Sequence, residues 1–226
     1  MKKIAVIIYG APGAGKGTQA NLLANRLGLI HFDTGTYFEK VLYDPENKND
    51  KKIKEQKKLF EGGQLMDPKW ALKVVEERTK QISQAGFSIV YSGSPRTLFE
   101  AYGGNGTPGL IPTLEKIYGR KNIFIFSLDV PASASLKRNQ ARLISPLTGL
   151  PIMGTKHKLT TCPFTGSKLH KRSLDKPEII KKRLKEYMDR TKPIEDALKK
   201  DKFKIIKING APLPYKVHES ILKRIK

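Results

Sequence analysis

Gly10, Gly13, Gly15, Lys16 and Thr18 fall within the run Gly-Ala-Pro-Gly-Ala-Gly-Lys-Gly-Thr, and those residue types suit one kind of chemistry. Glycines let the backbone curl until its N–H groups converge, the lysine adds a compact positive charge, and the threonine offers a hydroxyl. The result is a cradle for phosphate. Such a cradle needs a strand to deliver it and a helix N-terminus behind it. Both are written on either side. Ile4 to Tyr9 is a continuous apolar run, and Gln19 to Leu27 has helical periodicity. The usual expression for this loop places Ser or Thr directly after the lysine. Here Gly17 intervenes, and Thr18 carries the hydroxyl.

At 226 residues, 38% hydrophobic and 8% aromatic, the chain suffices for one sizeable core or a core carrying small inserted lobes. No apolar run approaches the roughly 20 residues of a membrane span. Lys2-Lys3 before Ile4–Ile8 imitates the start of a signal peptide, but the run is short and no A-x-A-like cleavage site follows. A cytoplasmic protein is expected. The single cysteine, Cys162, excludes an intramolecular disulfide and an all-thiolate zinc site. The formal charge of +22 is compatible with a phosphate cleft, a nucleic-acid stripe or a solvated lysine surface. The excess is mostly lysine, spread over 48–58, 156–176, 181–207 and 216–226. That spread favours the solvated surface, and no nucleic-acid-binding motif accompanies it.

Further apolar runs at 29–32, 88–91, 122–128 and 203–208 alternate with helical patterns. This predicts an α/β fold, a doubly wound parallel sheet. Ligands of such sheets sit beyond the carboxyl ends of the strands, which gathers Gly10, Thr34, Ser92–Arg96, Asp129 and Gly210 at one edge. Residues 37–60 are helical and too polar for a central core, so they read as an inserted lobe. Residues 101–112 are Gly- and Pro-rich and read as an inserted surface loop. A helix after 131 carries Arg138 and Arg142. Residues 145–172 lose helical period, and a long helix follows from about 176 to 190.

The loop at 10–19 resembles that of adenylate kinases and their nucleoside monophosphate kinase relatives at every position. Thr34-Gly35, Gly63-Gln64-Leu65-Met66, Gly93-Ser94-Pro95-Arg96-Thr97, Asp129-Val130-Pro131, the arginines at 138, 142, 172 and 183, and Asn209-Gly210 extend the likeness to the long-lid type over nearly the whole chain. It implies a single kinase domain, with core 1–35, 67–142 and 176–226, a monophosphate-binding lobe over 36–66 and a lid over 143–175. It implies Mg2+-assisted transfer from ATP to a monophosphate, AMP first. By resemblance, Gly13, Ala14, Gly15, Lys16, Gly17, Thr18, Arg138 and Arg142 bind ATP. Thr34, Met66, Arg96, the residue at 100 and Arg183 bind the monophosphate, and Lys16, Arg96, Arg138 and Arg172 act on the transferring phosphates. Asp129 holds Mg2+ through water. The expected partners are small nucleotides, with no membrane and no specific nucleic acid, and the expected state is a monomer.

Four positions depart from the family's pattern. Ser92 stands where an acidic residue orders magnesium-bound water. Glu39 replaces an arginine for the monophosphate's phosphate, with Lys40 beside it. Leu174 replaces an aspartate, although Asp175 follows. Glu100 replaces the glutamine that reads adenine. An ionised carboxylate only accepts, which suits guanine, so GMP is the alternative substrate, and an exposed helix glutamate is the alternative for Glu100. A non-catalytic basic nucleotide-binding protein is the third reading. In the lid, Ser145, Thr148, Cys162 and Thr165 occupy the spacing of two zinc knuckles. Three hydroxyls argue for hydrogen bonds in place of structural zinc, with His157 and His170 at spacings that fit no common zinc pattern.

Overall fold

The computed structural model describes residues 3–153 and 159–225; His157 lies outside them. Strand β1 (Ala5–Gly10) is buried at every residue, as expected of a strand covered on both faces. It leads through the glycine loop into α1 (Lys16–Leu27) and β2 (Ile30–Phe32). Helices α2 (Thr34–Tyr43), α3 (Lys51–Glu61) and α4 (Pro68–Gln84) each begin where an aspartate side chain accepts from the first turn: Asp33 from Thr36 N–H, Asp50 from Ile53 N–H, Asp67 from Lys69 and Trp70 N–H. Then come β3 (Ile89–Tyr91), α5 (Leu98–Tyr102), a small hairpin of β4 (Gly103–Gly104) and β5 (Thr107–Pro108), and α6 (Leu110–Tyr118). They are followed by β6 (Ile123–Asp129), α7 (Ala132–Ala141), and the antiparallel pair β7 (Arg142–Ile144) and β8 (Pro151–Met153). Helices α8 (Pro177–Glu186) and α9 (Lys192–Lys200), strand β9 (Ile205–Asn209) and α10 (Pro214–Leu222) complete the chain.

The main sheet runs β2-β3-β1-β6-β9, all parallel. Successive side chains of β1 part to opposite faces, as a pleated strand requires. Ala5, Ile7 and Tyr9 join a cluster with Leu72, Val75, Ile111, Leu114 and Ile194, while Val6 and Ile8 join Ala20, Leu23, Val217 and Ile221. The sheet is therefore covered by α1 and α10 on one face and by α4, α5, α6 and α9 on the other.

Three expectations are corrected. The segment 101–112 is no surface loop: Ala101, Leu110 and Ile111 are sealed in the core, and only the hairpin residues between them reach solvent. Its glycines close that tight hairpin, in which a Cβ on Gly103 would lie 1.9 Å from the Thr107 carbonyl oxygen. Arg142 is not on α7 but opens β7. The long helix over 176–190 ends at Glu186, and a turn of π-helix carries Tyr187–Thr191. Pro193, which has no N–H and whose ring opposes the carbonyl four residues back, prevents the α-helix from running on.

Ile111 anchors the corrected segment. Ile111→Ala is expected to cost about 2–5 kcal/mol of unfolding free energy, read as a lowered denaturation midpoint at unchanged m-value.

Candidate functional site

The carboxyl ends of the strands open on a cleft of about 590 Å³. Its floor is the glycine loop. At Gly10 the strand passes so close to β6 that a Cβ would stand 2.8 Å from the Leu128 carbonyl oxygen; only glycine fits. Gly15 stands at the head of α1 with φ 95°, so the helix's positive end faces the cleft. Gly13, Ala14, Gly15, Lys16, Gly17 and Thr18 all line it, with Arg96, Arg138, Arg142, Arg172 and Arg183. These cations arrive from the loop after β3, from α7, from β7, from the segment before α8 and from α8 itself.

Each of them holds a protein oxygen. Lys16 Nζ donates to the Gly10 and Ala11 carbonyls at 2.7 and 3.0 Å. Arg96 Nε donates to Gly93 O at 2.5 Å. Arg138 donates to Gly210 O and Ala211 O at 2.9 and 2.8 Å. Arg142 grips Asp175 with two nitrogens, and Arg183 lies 3.8 Å from the same carboxylate. Arg172 pairs with Glu39 at 2.9 Å. Burial, then Arg96, Arg183 and Arg142, lowers the Lys16 ammonium to about 7. Burial, then Arg172, Arg96 and Arg142, lowers Arg183 to about 9.

Other predicted residues stand apart. Asp129 is exposed at the end of β6 and is not in the cleft wall; its carbonyl accepts from Gly210 N–H at 2.8 Å. Thr34 is sealed, with its hydroxyl unpartnered. Lys40 is exposed and outside the wall, so it does not stand in for Glu39. Met66 and Glu100 line a small side cavity with Ser94, Arg96 and Leu65. Glu100 is not an exposed helix residue: it is 4% exposed. It folds back on the start of its helix, accepting from Arg96 N–H at 3.0 Å and Thr97 Oγ1 at 3.1 Å, while the N-cap Thr97 Oγ1 accepts from Glu100 N–H. Burial first of all pushes its carboxyl up, against the pull of the Arg96 N–H.

Between β7 and α8, Ser145, Thr165 and Ser167 share hydrogen bonds of 2.8–3.3 Å. Thr148 instead accepts from Leu150 N–H, so Ser167 takes the place the spacing gave to Thr148. Hydrogen bonds from Thr165 and Ser145 help lower the Cys162 thiol to about 7. No group of three His, Cys, Asp or Glu poised for a metal occurs among the described residues.

Sequence reasoning missed two arrangements. Glu39 appears in the sequence only as a lost arginine; its pairing with Arg172 depends on tertiary structure. His31 Nδ1 lies 2.6 Å from Asn21 Oδ1 and its Nε2 lies 2.8 Å from Ser92 Oγ. Asn21 Oδ1 can only accept, so the imidazole is protonated at Nδ1 and accepts the Ser92 proton at Nε2. The Ser92 oxygen is thereby left as an acceptor in the cleft wall.

A family model described as adenylate kinase matches residues 8–203. The chain is 32% identical over 199 residues to the adenylate kinase of Caldicellulosiruptor bescii, covering 86% of each chain. It is 32% identical over 195 residues to that of Shouchella clausii, covering 84% of each. It is 29% identical over 236 residues to that of Francisella philomiragia, covering 98% of this chain and 99% of the relative.

Lys16 sets a pH dependence. Burial and the neighbouring arginines lower its ammonium to about 7, and a polyphosphate bound beside it is expected to restore the charge. Binding of triphosphate therefore takes up a proton at about pH 8 and almost none at about pH 6. Calorimetry in buffers of different ionisation enthalpy reads that uptake, which Lys16→Met abolishes.

Proposed function

The chain belongs to the adenylate kinase family, and from that premise we propose that it transfers the γ-phosphoryl group of ATP to AMP, giving two ADP. The observation that carries this reading is the convergence of Lys16 and five arginines on one cleft around the glycine loop. Phosphoryl transfer asks little covalent work of a protein but requires that charge on the transferring oxygens be neutralised in a site that excludes water.

In this reading the N–H groups of Gly13–Thr18 and the α1 dipole take the ATP phosphates, with Arg138 and Arg142 alongside. Arg96 and Arg183 take the phosphate of AMP, whose base lies towards Thr34, Met66 and Glu100. Lys16, Arg96, Arg138 and Arg172 then meet the charge that spreads over the group in flight. Binding releases them from the carbonyls and carboxylates they now hold, so phosphate oxygens replace protein oxygens one for one. Thr18 and the Ser92 oxygen offer hard oxygen donors suited to a Mg2+ that keeps most of its waters and arrives on the phosphates; Asp129, outside the wall, would act only through water. The metal, when bound, neutralises phosphate charge. Residues 36–66 and 143–175 are read as lobe and lid that close over the two nucleotides. The single cysteine and the diffuse lysines support a cytoplasmic monomer acting on small nucleotides, without a specific nucleic-acid partner.

Both Glu100 carboxyl oxygens already accept, from Arg96 N–H and Thr97 Oγ1, so the assignment of AMP rests on the adenylate kinase relatives and not on this carboxyl. In a coupled assay of ADP formation with AMP, GMP, CMP and UMP, AMP is expected to be turned over fastest and Lys16→Ala to be dead. A preference for GMP overturns the base assignment. Glu39→Gln frees Arg172 for the transferring group, and kcat/KM is expected to rise about two- to fivefold, the measure of a partly exposed ion pair.

A further inference from the structure

Behind the phosphate loop, α7 presents Ser135 and Asn139, one helical turn apart. Ser135 Oγ and Asn139 Nδ2 both donate to the Pro12 carbonyl, the latter at 3.0 Å. The two side chains are 0% and 1% exposed. A helix face buried against a loop is ordinarily apolar, and this pair is a costly exception: Asn139 Oδ1 has no partner among the described residues. Buried polar groups that break the local rule mark sites where function holds them.

The carbonyl they grip is a particular one. Ala14 N–H donates to Ala11 O at 3.0 Å, so Ala11–Ala14 is a β-turn with Pro12 second and Gly13 third. Gly13 has φ +87°, the value of a type II turn, which differs from type I by a flip of its central peptide. That peptide is Pro12–Gly13. Being planar and trans, it carries its C=O and N–H on opposite edges. Where the Pro12 oxygen points therefore fixes where the Gly13 N–H points. The oxygen points at α7, and the N–H on the far edge has no acceptor among the described residues. The packing leaves no slack: a Cβ on Gly13 would meet Asn139 Nδ2 at 2.4 Å and Ser135 O at 2.7 Å.

We propose that Ser135 and Asn139 are positioning residues for phosphoryl transfer, locking the Pro12–Gly13 peptide in its type II orientation so that the Gly13 N–H is aimed at the phosphates of the bound triphosphate. The inference rests on the loop's proposed role as the ATP phosphate site. Without the grip, the central peptide is free to flip, and one donor turns away from the anion. AMP, whose phosphate sits with Arg96, does not depend on that donor.

The test uses inorganic tripolyphosphate as the probe, without metal, together with steady-state kinetics. In Ser135→Ala/Asn139→Leu, the dissociation constant for tripolyphosphate and KM for ATP are expected to rise about tenfold, as for a lost hydrogen bond to a charged group, while KM for AMP stays within about twofold. The Gly13 amide resonance, which shifts on adding tripolyphosphate to the unmodified protein, is expected to shift less in the variant. The single variants, each keeping one donor on Pro12, give intermediate values and carry the test if the double variant does not fold. Unchanged tripolyphosphate affinity in a folded variant, or an equal rise in KM for AMP, overturns the positioning role. Failure of the unmodified protein to bind tripolyphosphate in a Lys16-dependent manner overturns instead the phosphate assignment of the loop.

Discussion

Six cations in one cleft repel one another, and most of the structure around that cleft answers to this fact. At about 4 Å and an effective dielectric near 20, two like charges cost about 4 kcal/mol, so no single element could carry the whole set. They are drawn from the start of α1, the loop after β3, α7, β7, the segment before α8 and α8. The parallel sheet makes this possible, because its strand ends point one way and collect residues distant in sequence. Burial, with that repulsion added to it, lowers Lys16 to about 7 and Arg183 to about 9.

The same constraint explains the oxygens. Asp175, buried, balances Arg142 and Arg183, Glu39 balances Arg172, and the Gly10, Ala11, Gly93, Gly210 and Ala211 carbonyls occupy Lys16, Arg96 and Arg138. Each of these contacts satisfies a cation that would otherwise be buried unpaired, and each is given up when a ligand takes that cation. The arrangement also sets a threshold: a ligand must outbid every oxygen it displaces, and only an anion with several charged oxygens does so at once.

Much of this was legible in the sequence, because loop and strands are local. The glycine pattern with its flanking apolar run and helix specified the β1–loop–α1 unit, and the alternation of runs specified the parallel sheet. What was not legible is what depends on long-range pairing. Glycine and proline over 101–112 suggested a loop because composition reports the tight hairpin and not Ala101, Leu110 and Ile111, which the sheet buries. Arg142 looked helical because its spacing from Arg138 is one turn, yet the chain had already turned into β7. Exposure stayed open as an alternative for Glu100 because its helix is only five residues long, too short to show a periodicity. Thr148 fitted the knuckle spacing, but Ser167 made the contact.

The net charge belongs to a different length scale from the chemistry. Of the ten arginines in the sequence, five line the cleft, whereas of the thirty-three lysines only Lys16 does among the described residues. A planar guanidinium offers fixed pairs of donors to phosphate oxygens and tolerates burial, whereas an ammonium is strongly hydrated and loses its charge when desolvated. Lys16 shows that cost in its lowered titration. Surface lysines separated from the cleft by more than a Debye length, about 8 Å at physiological salt, contribute little to the field inside it. The excess of +22 thus lies mostly outside the cleft, whose own cations are six side chains around one glycine loop.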